Sequence, residues 1–261
     1  MLWYKAWLET RFRFLLGSAL ISATCVFFVL GNPFILGTWE EYRQLNPQQK
    51  ELSWIIQATR DYAYFIWHFV FRSLLQQLWV LLAVIIGLGG LSRESAQGAA
   101  SFTLSLPVSR RRLVGVRALA GLAEITILGL IPAILIPILS LFIEKPYPAF
   151  QGITHSLLMV MGGIVFLSFS IFLSTVIESE HTPTIIGIAA VILFYFILGP
   201  YNDDGIVKPL WLKLVDVSSV MAGEPYLTSF SDFPWTGATA SLLIAAGLFY
   251  LSLRITEERD Y

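Results

Sequence analysis

Few side chains in this sequence are spaced so that they could do chemistry together. His68, His155 and His181 are scattered, and Glu178, Glu180 and His181 put three donors on one turn with nothing to complete a metal shell. Cys25 is the only cysteine and lies in an apolar run, which excludes an intramolecular disulfide and any CxxC site. The patterns GxxxxGK[ST], HExxH and GxSxG are all missing, so the chain carries no phosphate loop of its own and no signature of a zinc protease or serine hydrolase. The informative group is Glu94, Gly98, Pro107 and Arg110, within LSRESAQGAASFTLSLPVSRRRL at residues 91–113. These residue types offer charges and conformational breaks, not bond-making chemistry. Ala99 to Leu106 is small and apolar enough for a short amphipathic helix, which Pro107 would break and Ser109 would follow with a new helix start. Gly98 reads as a point of close packing. Arg111 and Arg112 also suit a topology signal held at anionic headgroups.

Three further residues stand out against an apolar background. Glu124 is an ionisable group inside a hydrophobic run, a costly placement that points to a cavity or a subunit seam, or to the nearby interface beside Arg117. Arg72 and Gln76 continue a polar stripe at helical spacing that includes Gln57, Asp61, Tyr64 and His68. The stripe either reaches up to headgroups or lines an exit path or seam.

The elements that must position these residues follow from composition. Of 261 residues, 56% are hydrophobic and 13% charged, with a mean hydropathy of +0.70. An ordinary soluble domain has roughly 45–50% and 25%, so a soluble globular enzyme is excluded. A net charge of −1 supplies no global field for nucleic acid, and no nucleic-acid partner is expected. Six long apolar runs, at about 15–36, 73–92, 118–143, 153–177, 183–200 and 234–253, each approach the roughly 20 helical residues needed to cross a bilayer. Alternating segments of a membrane barrel are absent. The expected fold is an all-α integral membrane protein, 1–261 forming a single transmembrane domain of six helices.

Lys and Arg are denser in 1–14, 93–112 and 254–261 than in the segments 37–72 and 201–232, which puts both termini in the cytoplasm and the latter two segments outside. Residues 1–14, with Lys5, Glu9 and Arg13 four apart and aromatics between them, read as an interfacial helix feeding a retained first span that ends near Asn32-Pro33. Pro132 and Pro137 should kink the third span. Thr182-Pro183 reads as an N-cap with proline at the first helical position. Residues 210–221 suit one short amphipathic helix, a surface cap or a re-entrant piece.

An acidic residue after the second span, a glycine four on, and P-x-x-R leading into the third span resemble the signature of ABC-2 type permeases, the membrane subunits of one class of ATP-binding-cassette exporters. Here these positions are Glu94, Gly98, Pro107 and Arg110. The resemblance implies a type V exporter-like architecture in a prokaryotic plasma membrane. It implies that 93–112 is a cytoplasmic coupling segment on which a separate ATPase docks, through Glu94, Gly98, Phe102, Pro107 and Arg110. It further implies no cofactor on this chain, ATP and Mg on the ATPase, a second permease copy, and surrounding membrane lipids. Two other readings compete: a secondary carrier or channel, for which Glu124, Arg72 and His155 would be the only intramembrane ligands, and a membrane-embedded enzyme, which lacks a nucleophile or metal pattern.

Overall fold

The computed structural model describes residues 2–46, 48, 51–88, 109–177, 179, 181–198 and 216–258, and among them every element is a helix. Five helices are long and apolar enough to cross a membrane: α1 (Leu2–Leu45), α3 (Tyr62–Gly87), α4 (Arg110–Phe142), α5 (Ala149–Val176) and α8 (Trp235–Glu258). Between them lie α2 (Glu51–Arg60), the shorter apolar α6 (Thr182–Leu198, 17 residues) and α7 (Val217–Ala222).

Helix α1 runs unbroken for 44 residues, about 66 Å at 1.5 Å per residue, or twice a hydrocarbon core. The separate surface helix expected over 1–14 is therefore the first part of α1. The stop expected at Asn32-Pro33 does not occur either. In an apolar medium a broken helix would leave several backbone groups without partners, a larger penalty than the single bond a proline removes. Asn32 is fully buried and anchored as well, its Nδ2 donating to the Thr59 carbonyl at 3.3 Å and its Oδ1 accepting from Lys145 Nζ at 2.8 Å.

Asp61 caps α3 by accepting from the Tyr64 amide at 3.1 Å, so the polar stripe is divided there instead of following one helix. Residues Ile66–Leu75 of α3 are wound as a π-helix, a rare geometry that tends to mark functional sites. Arg72 lies on it and Gln76 follows it. Ser109 starts α4 as expected, its hydroxyl accepting from the Arg112 amide at 3.3 Å. Both Pro132 and Pro137 are carried inside the continuous helix. At α6 the start is shifted by one residue: His181 supplies the first helical carbonyl, to Ile185 at 3.1 Å, and Ser179 Oγ accepts from the Thr182 amide, which leaves Pro183 at the second position.

Helix α5 is the centre of the bundle, 72% buried along its apolar stretch, where α8 is only 22% buried. Small residues let its neighbours approach. Trp79 of α3 lies directly over Gly163, where a Cβ would strike the indole, and its Nε1 donates to the Met159 carbonyl at 2.7 Å. Ion pairs and ring contacts set the two ends of the bundle. Arg111 pairs with Glu257 and Arg117 with Glu9, so the starts of α1 and α4 share one end with the finish of α8. The starts of α3, α5 and α8 gather at the other, where Tyr62 bonds Ser140 at 2.6 Å and Phe150 meets Phe230.

Candidate functional site

Residues 89–108 lie outside the described residues, and the two helix ends that flank them, roots at the finish of α3 and the start of α4, are both held. A helix C-terminus presents unpaired carbonyls and a partial negative charge, which cations satisfy. Here two guanidinium groups converge on them from different helices. Arg13 of α1 donates to the Ile85 and Leu88 carbonyls at 2.6 and 2.8 Å, and Arg117 of α4 donates to the same Leu88 oxygen at 3.1 Å. Arg117 also reaches Glu9 at 3.1 Å, and Glu9 lies 3.9 Å from Lys5. The face of Lys5, Glu9 and Arg13 is thus turned toward other helices as much as toward itself. At the second root the Ser109 cap fixes the first turn of α4.

One helical layer deeper, Glu124 is 3% exposed, its Oε1 contacted by the Thr10 hydroxyl while Oε2 has no hydrogen-bond partner. Arg117 and Arg13 lie close enough to act on it electrostatically. The two arginines that meet on Leu88 thus also lie beside Glu124, and Glu124 is grouped with the clamp on that proximity. Gly87 completes the arrangement: a Cβ there would collide with Ser170 and the Leu167 carbonyl, so the last turn of α3 is pressed directly on α5.

A second polar group lies around α7. Of the segment expected as a surface cap or a re-entrant piece, the described part is buried over Val217, Ser218, Val220, Met221 and Ala222, which fits the re-entrant alternative. Met221 packs on Gly162, about 20 Å along α5 from its start. Gln76 is fully buried and donates from Nε2 to the Ser218 carbonyl and hydroxyl, both at 2.9 Å. Trp67 Nε1 donates to the Ala222 carbonyl at 2.9 Å, and Arg72 lies 5.0 Å from the Trp67 ring. His155, buried and stacked on Phe71, has Nε2 3.0 Å from the Glu224 carbonyl. Just outside the spans, the Tyr226 phenol donates to Asp61, and that bond to a carboxylate pushes its pKa up to about 12.

The residues singled out in the sequence therefore separate. Glu94, Gly98, Phe102 and Pro107 lie outside the described residues. Arg110 sits half-buried on the first turn of α4, Glu124 belongs to the clamp, and Arg72 and Gln76 belong to the group around α7. Thr10, Arg13, Arg117 and Ser218 were not foreseen as site residues. The flanking basic residues carried a topological signal, but nothing local marked Thr10 or Ser218 as partners of residues more than a hundred positions away. Among the described residues no group of three or more His, Cys, Asp and Glu could hold a metal ion.

A comparison with curated proteins finds no match. The family model described as ABC-2 family transporter protein matches residues 14–210, three quarters of the chain, including α3, α4, α5 and the 89–108 segment between the two roots. A multi-pass helical membrane protein with this match is a membrane component of an ABC transporter, and the chain belongs to the ABC-2 family of transporter proteins.

Proposed function

We propose that this chain is the permease of an exporter that works as a homodimer in a prokaryotic plasma membrane, driven by a separate ATPase that docks on the cytoplasmic segment 93–112. Glu94, Gly98, Phe102, Pro107 and Arg110 make the docking surface, and ATP and Mg stay on the ATPase. The observation that carries this reading is the double clamp at Leu88, where arginines of α1 and α4 meet on the last carbonyl of α3. A displacement applied to 93–112 acts on α3, and with these bonds in place α1 and α4 must move with it. A flexible root would dissipate the motion.

Six crossings and both termini inside complete the proposal. Its support is that α5 finishes and α8 starts at opposite ends of the bundle, so the chain between them traverses it, and α6 runs in that interval. Glu9 and Glu257 lie at the same, arginine-rich end.

The test uses the chain co-expressed with an ABC ATPase subunit from the same source. The two should co-purify, and replacing 93–112 by a neutral linker should abolish both co-purification and ATP-dependent transport in vesicles. An intact complex after that replacement would refute the docking assignment.

A further inference from the structure

We infer that the chain binds one hydrocarbon tail of a membrane lipid in a lateral pocket between α6 and α8, floored by α5 and the re-entrant α7. The cavity has a volume of about 200 Å³, and its eight lining side chains are all apolar. For comparison, a closed apolar void of about 150 Å³ stays dry and takes up benzene. Val165, Phe166, Val191 and Val217 form a buried floor, and Phe169, Ala190, Ile244 and Leu248 make a half-exposed rim, so the pocket opens sideways. That opening follows from the packing. Helix α8 lies along α5 and α4, whereas α6 lies along α3 and α5, which leaves a gap between α6 and α8 among the described residues.

Depth selects the occupant. Val165 is about 24 Å along α5 from its start, and Ala190 and Ile244 fall near the middle of their helices, so the mouth faces the hydrocarbon core. Water has no polar partner there, and a headgroup would be desolvated without compensation. An acyl chain of the bilayer meets neither penalty and is the surrounding medium. Through Val217 the tail also touches the residue next to Ser218, so occupancy supports the bond from Gln76 that holds α7 in place. This site goes beyond the transport reading and does not depend on it.

The test uses the purified chain in vesicles of phosphatidylcholine bearing a mid-chain diazirine, with adducts mapped by mass spectrometry after irradiation. Adducts at Phe169 and Leu248 should exceed, several-fold, those at Ile134 and Leu243, which are 61% and 74% exposed on open helix faces. Ala190→Trp, which fills the cavity, should remove the excess while leaving Ile134 labelled, and Leu248→Ala, which widens the mouth, should increase adducts at Phe169. Equal labelling of pocket and open face, or an excess that survives Ala190→Trp, would overturn the assignment. If Ala190→Trp does not fold, wild type against Leu248→Ala still decides, because a tail confined to the pocket predicts both the excess and its increase.

Discussion

At Leu88 one carbonyl oxygen accepts from two guanidinium groups, and removing them should separate binding from coupling. Arg13→Gln with Arg117→Gln keeps two amides near the helix end but removes both charges. The expected outcome is a complex that still co-purifies with its ATPase while transport falls at least several-fold, read in the same vesicles. Loss of co-purification would instead make the clamp part of the docking surface. Glu124→Gln tests the deeper layer. It should impair transport-stimulated ATP hydrolysis more than expression, and unchanged turnover would remove Glu124 from the site. At the opposite end, Asp61→Ala removes an N-cap worth about 1 kcal/mol and frees Tyr226. With Asp61 in place, the Tyr226 phenol titrates near 12, above its ordinary 10, so this bond contributes stability below about pH 10 that is lost as pH rises through 12. In Asp61→Ala the titration should return toward 10, which ultraviolet difference titration against a Tyr226→Phe control would show.

The elements respond to different physics in membrane and interface. Pro33, Pro132 and Pro137 all lie inside helices, because surrounding helices and the apolar medium favour a continuous backbone over a break. Reading Pro33 by the rule for soluble helices places a stop where α1 continues. Helix–helix approach depends on small residues instead. Gly87→Val should press a side chain into Ser170 and the Leu167 carbonyl, and the expected overpacking cost of about 1–3 kcal/mol would appear as a lower unfolding midpoint in detergent. Helix α7 depends on polar anchors. Gln76→Leu removes both bonds to Ser218, leaving a buried hydroxyl and carbonyl short of a donor at roughly 1–3 kcal/mol. Protease access to 216–224 should increase in that variant while α5 remains protected.

Across the whole molecule, much apolar helix surface is left for lipid or for a second copy. The stretches of α1 and α8 that suit the bilayer are only 28% and 22% buried within one chain. The proposed homodimer places part of that surface against its copy. Single cysteines at exposed positions of α1, such as Phe27 or Phe34, introduced with Cys25 replaced by Ala, should cross-link between chains in membranes if α1 lies at the seam. Their failure to do so, with cross-links obtained from α8 instead, would move the seam.

The all-helical character and the class of protein were legible in one dimension because a bilayer demands uninterrupted stretches of about 20 apolar residues, and among the described residues five of the six apolar runs form helices long enough to cross it. That requirement is local and leaves its mark on composition. The resemblance to the ABC-2 family rests on a short run with fixed spacing, Glu94 to Arg110, and the family match agrees with it at the level of the family. Three-dimensional packing alone decided the rest: that Arg13 and Arg117 meet on Leu88, that Thr10 reaches Glu124, that Gln76 holds Ser218, and which of the two expected placements, surface cap or re-entrant piece, 217–222 takes. Each of these contacts joins residues far apart in the chain, and no periodicity or propensity encodes a partner. They arise because a buried polar group in an apolar interior must find whatever donor or acceptor the neighbouring helix brings within reach.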